Sequence, residues 1–221
     1  MLRVFSLALI ALGTAAWASA APPPDGKSAI GYYTPGLPVP DHADLSRGDV
    51  PRDDYGRPFT YEGLGEPLPD FGGELSNQTS FASSALDGQW TVIQVWGIWC
   101  HDSRNDADYA AALARAIEQD PDLHFMTIHT PQNETRTRQA FRGYGSVSAW
   151  FQEKGWTSPT LIDADASIRQ KLRIRWTPTY LVVAPDLTVQ GFRTSLADAG
   201  DMAVKDFLQN VAETRRAWTA P

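Results

Sequence analysis

Residues Trp90 to Ser103 read WTVIQVWGIWCHDS, and the order of residue types along them decides the fold. Trp90 to Val95 is an apolar, β-branched run of the kind that forms a fully buried strand, and Asp102 to Glu118 carries Ala, Leu and Ile at helical spacing. Cys100 falls where the strand ends and the helix begins. There its sulfur is expected beside unpaired backbone N–H groups and the positive end of the helix dipole, which favour thiolate over thiol. Ser103, three residues on, is placed to donate a hydrogen bond back to that sulfur; a protonated His101 would reinforce the effect and Asp102 would oppose it. The competing use of a solitary cysteine is as a small buried hydrophobe.

Cys100 is the only cysteine in 221 residues. It cannot close an internal disulfide or complete a structural zinc site of four cysteines, or of two cysteines and two histidines, so no metal is expected and any redox chemistry is monothiol. Residues 1–20 hold one base, Arg3, and no acid, which leaves 18 Lys and Arg against 26 Asp and Glu in the remainder, a net charge of −8. An acidic chain is a poor non-specific partner for nucleic acid or anionic lipid.

Outward from Cys100 the pattern predicts alternating strands and helices. Leu123 to His129 is a second strand, Ser146 to Lys154 a short amphipathic helix, and Thr160 to Ile162 a short strand, with Asp165 capping a helix that runs to Leu172. Thr179 to Ala184 and Thr188 to Arg193 flank Pro185-Asp186-Leu187 at hairpin spacing, and a last helix covers Asp201 to Arg215. Early strands joined through helices, then a hairpin and a helix, imply an α/β three-layer sandwich with a mixed central sheet flanked by helices, occupying residues 63–215 ahead of a short tail, 216–221.

The N-terminal third reads differently. Met1-Leu2-Arg3, the apolar run Val4 to Leu12 and the small-x-small site Ala18-Ser19-Ala20 have the order of a Sec-type signal peptide over residues 1–20. That run is shorter than the ~20 residues needed to span a bilayer. No lipobox cysteine follows. The expectation is a periplasmic or secreted protein without stable membrane insertion. Residues 21–62 are rich in Pro, Gly and Asp and lack a sustained period, so they predict an extended arm whose scattered aromatics, Tyr32, Tyr33, Tyr55, Phe59 and Tyr61, let it lie along the folded domain.

VWGIWCHDS, Val95 to Ser103, resembles the active-site segment of the thioredoxin superfamily, with Trp96 and Trp99 placed as in its W-x-x-W-C-x-x-C motif. Thr177-Pro178-Thr179 before YLVV resembles that superfamily's cis-proline loop, and GEPLPDFGGEL is similar to the opening of its secreted TlpA/ResA-like, or redoxin, branch. The resemblance implies a thioredoxin-like fold over about Glu66 to Ala212 in which Cys100 is the attacking thiol. It further implies that Pro178, after a cis bond, packs beside the sulfur, that the Thr177 backbone hydrogen-bonds extended substrates, and that Trp99 borders the groove. Three positions depart from the pattern: Ser103 replaces the resolving cysteine, Gln94 the buried acid that relays protons, and Trp176 the glycine two residues before the proline, so an aromatic lines the groove. Without a second thiol a dithiol cycle is closed to this chain unless another molecule supplies one.

Two functions follow. One is monothiol thiol-disulfide exchange through Cys100 with protein or low-molecular-weight thiols and disulfides, needing no cofactor and with glutathione as a candidate co-substrate. The other is a redox-inactive peptide-binding or chaperone-like module on the same fold. A one-cysteine peroxidase is disfavoured, because the P-x-x-x-T-x-x-C arrangement is absent before Cys100. Arg175, just before the proline loop, is the basic residue best placed to meet an acidic substrate group such as a glutathione carboxylate. The cluster Arg136, Arg138 and Arg142 reads as a solvated face. His129, ending a strand parallel to the one that leads to Cys100, is placed to approach the same face, either as a Cys–His pair or as a plain loop histidine. His124 belongs at the opposite end, and Trp150 and Trp156 in or over the core.

Overall fold

The computed structural model describes residues 30–32, 61, 63–133, 135–136, 139, 145–155 and 159–218. The signal-peptide segment, most of the arm, Arg138, Arg142, Trp156 and residues 219–221 lie outside them. In chain order the elements are β1 (Ile30–Tyr32), β2 (Gly72–Glu74), β3 (Ser80–Ala82), β4 (Trp90–Trp96), α1 (His101–Asn105), α2 (Ala107–Ile117), β5 (Leu123–His129), α3 (Val147–Glu153), β6 (Thr160–Ile162), α4 (Ser167–Lys171), β7 (Thr179–Val183), β8 (Val189–Arg193) and α5 (Ala203–Ala217). The main sheet runs β1-β8-β7-β4-β5-β6. β4, β5 and β6 are parallel to one another, and β7, β8 and β1 join antiparallel, so the sheet is mixed.

All seven residues of β4 are buried, because this central strand is covered on both faces. Ile93 and Val95 face one layer, with Met126, Ile128, Leu181, Val183 and Phe192 from neighbouring strands and Ile168 and Leu172 from the α4 region. Val92 faces the other, with Leu113 and Ile117 of α2, Tyr180 and Val182 of β7, and Phe207 and Val211 of α5. Each such aliphatic side chain, removed fully from water, stabilises the fold by about 2 kcal/mol. Trp96, Ile98, Val147, Trp150 and four alanines of α2 form a third cluster at the carboxyl end of β4, the end that carries Cys100. Trp150 stacks on Trp96, with centroids 6.3 Å apart.

The expected sandwich is present, with differences at its edges. The single helix expected over 102–118 is divided at Asp106, which belongs to neither α1 nor α2. The tail begins later than residue 216, because α5 continues to Ala217 and Trp218 meets Trp90 edge-on at 5.4 Å. Tyr61 of the arm is buried against Phe192 with centroids 5.9 Å apart and β1 pairs with β8, in keeping with the expectation that the arm's aromatics lie along the domain. The β2–β3 hairpin, not foreseen, sits beside β6 through a Leu75–Leu161 bridge and a bond from Ser76 N–H to the Thr160 carbonyl at 2.7 Å. Asp165 accepts from Ser167 N–H at 3.0 Å, but the first turn of α4 is held chiefly by the buried Asp163, whose two oxygens take the amides of Ile168 and Arg169 at 3.0 Å each.

Candidate functional site

Cys100 is the N-cap of α1, in extended conformation at φ −86 and ψ 128, and its side chain is half-buried. Its carbonyl accepts from Arg104 N–H at 3.2 Å, which starts the helix, and its N–H closes a turn onto the Gly97 carbonyl at 2.8 Å. The thiol donates to the Thr177 carbonyl across 3.2 Å. β4 and β7 are hydrogen-bonded neighbours with Val95 opposite Thr179, and this register brings residues 77 apart in sequence together. The Thr177–Pro178 peptide bond is cis, Pro178 is buried, and Trp176 and Thr177 are half-buried. Arg175 is exposed, and His124 is exposed at the far end of β5.

The loop leading to Cys100 is held at nearly every polar group. Gly97 N–H donates to the Ser103 hydroxyl at 3.2 Å, Ile98 N–H to His129 Nε2 at 3.3 Å, and the Trp99 indole to the Thr130 carbonyl at 2.7 Å. The Ile98 carbonyl accepts from the Arg104 guanidinium at 2.9 Å. Ser103, expected to donate to the sulfur, thus anchors the loop behind it, and the sulfur's partner is the Thr177 carbonyl. Ser103 points inward from the first turn and is 2 % exposed, close to the orphan amide at the strand end. His129 is likewise a loop support rather than half of a Cys–His pair. Burial pulls its imidazole down to about 4, so it stays neutral and its ring nitrogen remains available to Ile98.

Gly97 is required by close approach. A Cβ there would stand 2.3 Å from Trp99 Nε1 and 3.0 Å from the Thr130 carbonyl, so the indole folds over residue 97 only if it is glycine. Gly97→Ala is expected to expel the Trp99 ring from Thr130 and cost about 2 kcal/mol. The check is loss of hydrogen-exchange protection at the Trp99 indole N–H in the folded variant.

Behind the site lies a buried polar network that sequence reasoning missed. Asp106, between α1 and α2, is fully buried. One carboxylate oxygen accepts from Leu196 N–H at 2.7 Å, Ala197 N–H at 2.6 Å and the Ser195 hydroxyl at 3.2 Å, and the other takes the Tyr180 hydroxyl. Gln94 donates to the same Tyr180 oxygen at 3.0 Å. Burial pushes the Asp106 carboxyl up to about 6, against the pull of its hydrogen bonds to Tyr180, Ala197, Leu196 and Ser195. Burial drives the Tyr180 phenol far above its usual range, with the Asp106 charge adding to it. Gln94 therefore does not stand in for an acid; it orients the tyrosine that holds one. The available signal was an acid set among Ser103, Ala107, Ala110 and Ala114, the buried stripe of the helix.

Chemically the site offers one half-exposed thiol, the buried Ser103 hydroxyl three residues further on, and a loop held by hydrogen bonds. Among the described residues no group of three or more His, Cys, Asp or Glu could hold a metal ion, and no helix is long and apolar enough to cross a membrane.

Comparison with protein-family models and with curated protein sequences finds no match. Solved structures do match. The thioredoxin domain of a thiol-disulfide oxidoreductase from Bacteroides vulgatus aligns with a TM-score of 0.50 at 14% identity, covering 67% of this chain and 97% of that one. A DsbF homologue from Corynebacterium diphtheriae aligns with a TM-score of 0.50 at 14% identity over 67% and 86%. A candidate protein disulfide isomerase from Bacteroides thetaiotaomicron aligns with a TM-score of 0.51 at 18% identity over 68% and 89%. At these identities the likeness is one of fold: the chain has the thioredoxin fold.

Proposed function

We propose that the protein is exported and carries out monothiol thiol-disulfide exchange through Cys100. The observation that carries this reading is a half-exposed thiol against the Thr177 carbonyl with Ser103, a hydroxyl, one turn along the helix. The Cys100 thiolate attacks one sulfur of an external disulfide; a new S–S bond to Sγ forms, the external S–S bond breaks, and the departing thiolate takes up the proton that Cys100 lost. Ser103 cannot attack the mixed disulfide, so a second external thiol resolves it, restoring Cys100 and leaving with the transferred group as a new disulfide. The Thr177 carbonyl stands 3.2 Å from the sulfur; Pro178, Trp99, Trp176 and Arg175 are the residues proposed to line the approach. The partners are thiols and disulfides, with glutathione as co-substrate.

The test is mass spectrometry of the mature chain in oxidised glutathione. One glutathione per chain is expected on wild type, removed by reductant, and none on Cys100→Ser. A folded wild-type chain that stays unmodified would overturn exchange in favour of a peptide-binding module. Export is checked by the intact mass of periplasmic material, with cleavage expected after Ala20.

A further inference from the structure

Gln94 of β4 and Tyr180 of β7 stand directly opposite each other in the antiparallel register, and Asp106, at the junction of α1 and α2, meets the same phenol oxygen. All three side chains are buried, at 2 % exposure or less. Charge forces the direction of the hydrogen bonds along this chain. A carboxylate only accepts, so Tyr180 donates to Asp106, and the phenol oxygen, its one hydrogen committed, accepts from the Gln94 amide at 3.0 Å. That polarity leaves Gln94 Oε1 buried with no hydrogen-bond partner among the described residues, which costs stability. The other Asp106 oxygen accepts from Leu196 N–H, Ala197 N–H and the Ser195 hydroxyl, and it can go on accepting if the oxygen facing Tyr180 gains a proton. The cation acting on the chain is Arg193 of β8, whose Nε donates to the Ser195 carbonyl at 3.0 Å, and α5 packs the apolar Phe207 ring on Tyr180 with centroids 5.8 Å apart.

We propose that Asp106, Tyr180 and Gln94 form a two-state hydrogen-bond relay, in which protonation of Asp106 reverses the bonds and turns the Gln94 side-chain amide over. A proton from solvent adds to the Asp106 oxygen that faces Tyr180, and the new O–H donates to the phenol oxygen. The Tyr180 hydrogen swings to Gln94, whose amide has made a half-turn so that Oε1 receives it. No electron moves, and the O–H on Asp106 is the one covalent bond formed. Gln94 leaves one polar group unmatched in either state, its oxygen in the first and its NH2 in the second, so the proton on Asp106 decides between them. Burial brings the Asp106 carboxyl up to about 6, so the two states exchange in mildly acidic surroundings. Tyr180 keeps its own proton throughout, because burial drives its phenol far above its usual range. The relay makes a glutamine on the central strand report the charge of an acid on the helix packed against it. It uses no thiol and stands apart from the exchange reaction.

The experiment follows the full chain by nuclear magnetic resonance from pH 8 to 4.5, reading the Asp106 carboxyl carbon and the Gln94 side-chain amide in wild type and Tyr180→Phe. In wild type the two signals are expected to move with one midpoint. The through-space contact between the Gln94 amide protons and the Tyr180 ring is expected to weaken about tenfold as Asp106 gains its proton. In Tyr180→Phe, Asp106 still titrates and the Gln94 amide no longer follows it. A Gln94 amide that follows Asp106 without the Tyr180 hydroxyl would show that a field effect couples them and would overturn the relay. So would a wild-type amide that keeps its contact with the Tyr180 ring at both ends of the range. Should Tyr180→Phe not fold, that wild-type contact decides alone.

Discussion

Asp106→Asn is expected to lose stability on acidification from pH 6 to 4 and His129→Gln to gain it, each by about 3 kcal/mol relative to the unfolded chain, with the opposing contributions of the two groups largely cancelling in the wild type. The signs follow from the two buried groups. His129 falls from its ordinary 6.5 to about 4, so the stability it contributes is full above 6.5 and is lost as pH falls towards 4. Asp106 rises from 3.8 to about 6, so its contribution is full below 3.8 and is lost as pH climbs through 6. The two slopes oppose each other over almost the same window, and each variant leaves one of them standing. Urea denaturation at a series of pH values from 4 to 7 measures both. Variants whose pH profiles run parallel to the wild type would show that the carboxyl and imidazole do not titrate as their burial requires.

Ser103→Cys is expected to form a reversible intramolecular disulfide and to show more disulfide-reductase turnover than the wild type. Residues 100 and 103 share a face of one helical turn, within the reach a disulfide needs. Ser103 is buried and Cys100 half-exposed, so the new sulfur would be the inner, resolving one. The exchange removes the hydroxyl that Gly97 N–H uses, at a cost of about 1 kcal/mol. Turnover stays slow because Gln94, bonded to the Tyr180 hydroxyl, has no proton to exchange, and the Asp106 oxygens are already engaged by Tyr180 and the 195–197 segment. Oxidised variant should lack two hydrogens by mass and reduce a general disulfide substrate. A folded variant that keeps two free thiols under oxidising conditions would show that residue 103 points away from Cys100.

Much of this was legible along the chain. The β-branched run at Trp90, the helical spacing after Cys100 and the hairpin spacing around Pro185 each report a local preference together with a buried face, and both act over a few residues. What went unread depends on tertiary contacts. Gly72 to Ala82 carries no strong strand pattern, and its hairpin is held by contact with β6 at Leu161 and Thr160. Asp163 displaced Asp165 as the main support of α4 because it is buried where the two amides converge.

The sequence by itself determined the α/β order of elements, the single thiol at a strand-to-helix junction and the absence of a second cysteine in these 221 residues, since these depend only on residue type and spacing. The tertiary structure alone decided what surrounds that thiol. Ser103 on Gly97, His129 on Ile98, Arg104 on Ile98 and Asp106 on residues 195–197 are pairings between groups 6 to 91 positions apart, fixed by strand register and helix packing. A buried polar group must find a partner, but which partner depends on the fold that closes around it.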